Sequence, residues 1–252
     1  MNFKDKKILF LGDSITALNT TERGWVRYFN EIIMPESFVN LAVSGARLSN
    51  SAEPVEFDGD PVFRGENTDY RQNVVLNQIE KLSRGKNADN KHFNRNPDYD
   101  GFDIIIIAAG TNDWFCKEKF DIEAIESQFT ENGEVIPLEK VNCFTFAGAM
   151  RFIYEKLRGF YPDSKIFFCS PIQAAEAKRP YDSILYKRNL MRAVCDRLSD
   201  AVFIDTFNCG ICGIYEKNEE NGRDLIDGLH PNADGAKKIG LFNARAIKRY
   251  FD

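Results

Sequence analysis

Four short clusters hold the side chains with chemistry to offer. Gly12-Asp13-Ser14 supplies a hydroxyl, Ser44-Gly45-Ala46 a pliable backbone, and Gly110-Thr111-Asn112-Asp113 a carboxamide; Asp227-Gly228-Leu229-His230-Pro231 sets an imidazole three residues after a carboxylate. A serine hydroxyl is a weak nucleophile until a base within hydrogen-bond reach takes its proton, and a histidine oriented by a carboxylate is the common base. Three-residue spacing in a tight turn lets Asp227 accept a hydrogen bond from Nδ1 of His230, which fixes the tautomer and leaves Nε2 to take the proton of Ser14. Pro231 disfavours helix at His230, so the imidazole is expected on an extended turn leading into the last helix. A hydroxyl, a glycine backbone and a carboxamide are also the parts of an acyl-transfer site, where donors must meet the oxyanion of a tetrahedral intermediate.

The elements that would position these clusters are legible as alternating patterns. Short apolar, β-branched runs at Lys7–Leu11, Ser37–Leu41, Asp103–Ala109, Lys165–Cys169 and Ala201–Asp205 read as strands. Phe146, Ala149, Met150, Ile153, Tyr154 and Leu157 follow the spacing of one buried helical face, and further helices are expected over Gly24–Met34, Val74–Lys86, Ser183–Ser199 and Ala233–Phe251. Alternating strands and helices predict an α/β fold with a parallel sheet covered on both faces, joined by right-handed crossovers. With a strand order of 2-1-3-4-5, the first three clusters follow neighbouring strands at the carboxyl edge of the sheet, where such folds bind ligands. One domain over residues 1–252 is expected, with long loops around 49–73, 87–101 and 114–142. The last carries a weak helical pattern at Ile122, Ile125 and Phe129.

The blocks LFLGDSIT around Ser14, NLAVSGAR around Gly45, GTND around Asn112 and DGLHP around Asp227 and His230 resemble, in that order, those of the SGNH hydrolases, also called GDSL esterases and lipases. The resemblance implies a three-layer, flavodoxin-like α/β/α sandwich and a serine esterase without metal or organic cofactor. It implies Ser14 as nucleophile, His230 as base and Asp227 as its orienter. The Ser14 amide, the Gly45 amide and the Asn112 side chain become the oxyanion donors. Ala42 departs from the pattern where many members carry Gly. The family's breadth leaves the substrate open; the absence of a long apolar loop favours a small acyl ester, such as an acetylated carbohydrate, over the lysophospholipids and thioesters that other members cleave.

Composition narrows the rival readings. A chain of 252 residues with 43% hydrophobic and 13% aromatic side chains can bury a full core, and its net charge of -5 gives no basic field for nucleic acid. No apolar run approaches the roughly 20 residues of a membrane span. A strand-like run beginning by Lys7 leaves no room for a signal peptide after Met1, so a cytoplasmic location is expected. Cys116, Cys143, Cys169, Cys195, Cys209 and Cys212 read as reduced thiols; Cys209-x-x-Cys212 has neither a second pair nor a nearby histidine to complete a zinc site. His92 reads as a solvated loop residue, Trp25 as core, and Trp114 equally as pocket wall or packing. A silent ligand-binding domain would cradle phosphate in a Gly-rich loop. The chain has no such motif, nor the G-x-S-x-G elbow of an α/β-hydrolase. Taken singly, Ser14 could cap the first helix, and Asn112 and Asp113 could form a turn.

Overall fold

The computed structural model describes residues 2–50, 55–57, 60–62, 73–83, 99–113, 122–175, 177, 179–218 and 220–252. Its centre is a five-stranded parallel sheet of β1 (Lys7–Gly12), β2 (Ser37–Asn40), β5 (Ile104–Ala108), β8 (Lys165–Cys169) and β9 (Ala201–Ile204), in the order β2-β1-β5-β8-β9. Counted among the sheet's own strands, this is the expected 2-1-3-4-5. The order reverses between β1 and β5, which pair in register from Ile8 with Ile104 to Gly12 with Ala108. The crevice above that pair is therefore where the sheet leaves room for a ligand.

Both faces of the strands are apolar because both are covered. Leu9, Leu11, Ile105, Ile107, Ile166 and Phe168 point into one cluster, packed with α3 (Val75–Ser83), α5 (Phe146–Phe160) and α6 (Tyr181–Cys195). Ile8, Phe10, Ile104, Ile106 and Phe167 point into the other, under α2 (Trp25–Ile33) and α7 (Ala233–Phe251). Trp25 lies in that second layer as core, its ring edge-on to Phe10 and Phe29 at centroid distances of 5.5 and 5.8 Å. Each such aromatic pair adds about 1 kcal/mol beyond the area it buries. α7 packs tightly on α2 at Gly240, where a Cβ would sit 2.7 Å from the carbonyl oxygen of Trp25.

Two segments differ from the sequence reading. Within 49–73, β3 (Val55–Phe57) and β4 (Asp60–Val62) form an antiparallel pair. Within 114–142, α4 (Ile122–Glu126) is followed by a hairpin of β6 (Thr130–Glu131) and β7 (Glu134–Val135). The helix stops short because only Ile125 is buried while Ile122 faces solvent. The hairpin turns through Asn132 and Gly133, both at positive φ (52 and 82°), the pair favoured in such turns. The expected loop at 87–101, with His92, and the positions of Trp114 and Cys116 fall outside the described residues, apart from 99–101.

Candidate active site

Ser14 is delivered by the end of β1. Gly12 must be glycine, since a Cβ there would stand 2.3 Å from the Ala108 carbonyl oxygen of β5. The short helix α1 (Ser14–Ala17) starts immediately after, and Asp13, not Ser14, caps it, its Oδ1 accepting from the Ile15 N–H at 3.1 Å. Ser14 is thus the first helical residue, and its hydroxyl is free of the capping task. From below, Gln78 on α3 clamps Gly12 twice: Gly12 N donates to its Oε1 at 2.9 Å and its Nε2 donates to the Gly12 carbonyl at 2.7 Å. This buried amide pairs the Gly12 N–H at the foot of the nucleophile turn and shares the Gly12 carbonyl with Val43 N, which donates to it at 3.1 Å.

The imidazole arrives from the far end of the chain. Ile226 N donates to the His230 carbonyl at 2.9 Å, and Leu225 bridges Pro231, so 225–231 forms a tight, extended-ended turn ahead of α7. Gly228 takes φ 77°, a conformation that glycine adopts without strain. Asp227 organises the turn: its Oδ1 accepts from His230 N at 2.7 Å and Leu229 N at 3.0 Å, while Oδ2 lies 2.8 Å from His230 Nδ1. Nε2 of the same ring lies 2.8 Å from Ser14 Oγ. Burial works against ionisation of Asp227, but the bonds from the His230 ring and from the His230 and Leu229 amides outweigh it and hold the carboxyl down from 3.8 to about 2. At neutral pH it is therefore a carboxylate, able to hold the Nδ1 proton and leave Nε2 as an acceptor.

Two loops close the other side. The segment after β2 turns through Gly45, at φ 75°, and the Asn112 Nδ2 donates to the Ala46 carbonyl next to it at 3.1 Å. That bond uses one of the two amide hydrogens, so the side chain is fixed and still has a donor to offer. Asp113 holds the same segment more firmly. Its buried carboxylate accepts from Leu48 N at 3.0 Å, Ser49 N at 2.8 Å and Ser49 Oγ at 2.5 Å. The structure therefore brings Ser14, His230 and Asp227 into one hydrogen-bonded line and ties the Gly45 and Asn112 loops to each other.

Asp13 is the unusual group behind the serine. Burial pushes its carboxyl from 3.8 up to about 7 with a contribution from Asp113, against the Ile15 amide, the Thr111 side chain and the Arg179 charge. Gln78 and Arg179 are absent from the sequence reading, and Asp113 enters it only as a turn former beside Asn112. A signal existed for Gln78, a polar residue on the face that Val75, Ile79 and Leu82 make apolar. Asp113 and Arg179 gave none, because their partners lie 64 or more residues away.

Cys209 and Cys212 are free thiols, and burial pushes that of Cys209 up to about 11. Among the described residues no group of three His, Cys, Asp or Glu side chains is placed to hold a metal ion. No helix among them is long and apolar enough to cross a membrane.

The model of the GDSL-like lipase/acylhydrolase family matches residues 10–238, from β1 through the histidine turn into α7. The chain belongs to this family. It is a serine ester hydrolase of the SGNH type, and its sheet order is that of the SGNH fold. Similar solved structures include a possible lipase from Chitinophaga pinensis DSM 2588, at TM-score 0.60 and 18% identity over 97% of this chain and 98% of that one. An acetyl xylan esterase, AlAXEase, aligns at TM-score 0.57 and 16% identity over 96% and 99% of the two chains. A carbohydrate acetylesterase from Sinorhizobium meliloti aligns at 0.55 and 17% over 98% and 100%. At such identities the likeness is one of fold. No curated protein matches the chain significantly in sequence.

Proposed function

We propose that this SGNH hydrolase cleaves a small acyl ester, an acetyl ester of a carbohydrate in the first instance, with Ser14 as nucleophile, His230 as base and Asp227 as the orienter of the ring. The observation that carries the reading is the unbroken line from Ser14 Oγ to His230 Nε2 and from Nδ1 to Asp227 Oδ2, 2.8 Å at each link. Ser14 Oγ attacks the ester carbonyl as Nε2 takes its proton. The amides of Ser14 and Gly45 and the Nδ2 of Asn112 receive the oxyanion. The imidazolium, stabilised by the Asp227 carboxylate, returns the proton to the leaving alcohol. Water then attacks the acyl-Ser14 ester with His230 again as base, freeing the acid and the serine. No step calls for a metal or an organic cofactor.

The substrate class draws its support from the acetylesterases among the fold relatives. A panel of p-nitrophenyl esters from acetyl to octanoyl, followed by acetylated xylo-oligosaccharides, tests it. The expected result is a preference for acetyl esters and release of acetate from the sugar. A preference for octanoyl would overturn the assignment and favour a lysophospholipase or thioesterase type of substrate.

A further inference from the structure

The segment that follows β8 is fastened to both halves of the site. Gln173 Oε1 accepts from Gly213 N at 3.2 Å and its Nε2 donates to the Phe207 carbonyl at 3.3 Å, anchoring the start. Ala175 N donates to the Gly228 carbonyl at 2.8 Å, two residues before His230. The packing there is tight: a Cβ on Gly228 would lie 2.9 Å from that of Ala175. Four residues on, Arg179 turns its side chain back, and Nε donates to the Thr111 carbonyl at 3.0 Å, immediately before Asn112. The peptide N–H of Arg179 donates to the Ala175 carbonyl at 3.0 Å, which fixes where the side chain starts.

Burial, which lowers the Arg179 pKa, is opposed by the charge of Asp13, the cap of the helix that begins with Ser14. A partly buried guanidinium thus bonds the backbone of the Asn112 loop from behind, and the charge of Asp13 favours its cationic form. It holds the Thr111 carbonyl in place because a planar guanidinium aims its N–H groups in fixed directions, which a flexible ammonium does less well.

We propose that Arg179 is a positioning residue for ester hydrolysis: it fixes the Thr111–Asn112 turn, so that the Asn112 oxyanion donor is in place before the substrate arrives. It acts through Asn112 and does not touch the substrate. The inference rests on the roles of Ser14 and Asn112 proposed above. Preorganised donors matter in the transition state and little in the ground state, so loss of Arg179 should fall on kcat rather than on KM.

The test is steady-state hydrolysis of p-nitrophenyl acetate by Arg179→Gln, Arg179→Lys and Ser14→Ala beside the wild type, with circular dichroism and thermal melts on each. Arg179→Gln is expected to fold and to lose about tenfold or more in kcat, a part of what a lost oxyanion donor costs, with KM within about twofold. Arg179→Lys, which keeps the charge, is expected to recover part of that kcat. An unchanged kcat in folded Arg179→Gln overturns the proposal. So does a loss confined to KM, which would make Arg179 a substrate contact, or an Arg179→Lys variant no better than Arg179→Gln, which would reduce the effect to packing. Turnover retained by Ser14→Ala would overturn the serine reading itself, and this inference with it.

Discussion

Asp227→Asn changes one atom of the site and leaves its shape. The carboxylate accepts three hydrogen bonds, two from the backbone of its own turn and one from the His230 ring. An amide can keep its oxygen on the two backbone donors only by presenting its NH2 to Nδ1. The ring must then accept at Nδ1 and carry its proton on Nε2, where it faces Ser14 as a donor and cannot act as base. The same exchange in other Ser-His-Asp enzymes costs about 10⁴-fold in kcat, and a loss of that order is expected here. Stability should change far less. A carboxyl held down from 3.8 to about 2 corresponds to about 2 kcal/mol at neutral pH. Solvent screening at a side chain that keeps 30% exposure brings the expected loss nearer to about 1 kcal/mol. Because the native pKa is depressed, this stability is present above the ordinary 3.8 and vanishes as pH falls through about 2, so wild type and variant should converge on acidification. Urea unfolding at several pH values reads the stability, and p-nitrophenyl acetate hydrolysis reads the rate. A folded Asp227→Asn with kcat within tenfold of wild type would refute the reasoning.

Other substitutions separate the remaining roles. Asn112→Ala is expected to lower kcat about 100-fold with the fold intact, read by the same assay; unchanged turnover would remove Asn112 from the oxyanion site. Gln78→Leu leaves the buried Gly12 N–H without its side-chain partner and the Gly12 carbonyl with the Val43 N–H alone, and should cost about 1 to 3 kcal/mol in urea unfolding. Gly240→Ala forces α7 away from Trp25 and Tyr28, and about 1 to 3 kcal/mol of destabilisation is expected. Asp13 runs opposite to Asp227: its native pKa is raised from 3.8 to about 7, so the folded state keeps a proton that the unfolded chain has lost, and stability contributed by this group falls as pH rises between those values. Asp13→Asn, which can still cap the helix, should remove that part of the pH dependence; thermal melts of both proteins from pH 4 to 8 check it.

The central strands were legible because both faces are buried and they read as nearly uninterrupted apolar runs, as Ile104–Ala108 does, whereas β2 (Ser37–Asn40) lies at the sheet edge and is only half-buried. The long helices were legible from one apolar stripe each. The hairpin through Asn132 and Gly133 carried its own signal, an Asn-Gly pair, but its two-residue strands are too short to show alternation. The clusters holding Ser14, Asn112 and the Asp227–His230 pair stood out because each follows a recognisable strand or precedes a recognisable helix. What the sequence hid was the support behind them. Gln78, Asp113 and Arg179 act through contacts with backbone 64 to 68 residues distant; Gln78 shows locally only as a polar residue on an apolar helical face, and nothing local marks the roles of Asp113 and Arg179 until the sheet brings the loops together.

The central claim is an acyl-enzyme on Ser14, and trapping that residue tests it most directly. The protein is treated with diethyl p-nitrophenyl phosphate, and intact and peptide masses are measured beside Ser14→Ala. The account predicts a single diethylphosphoryl adduct, located on Ser14, with turnover of p-nitrophenyl acetate lost in proportion to labelling and no adduct in the variant. Labelling at another residue, or turnover that survives complete labelling of Ser14, would contradict it.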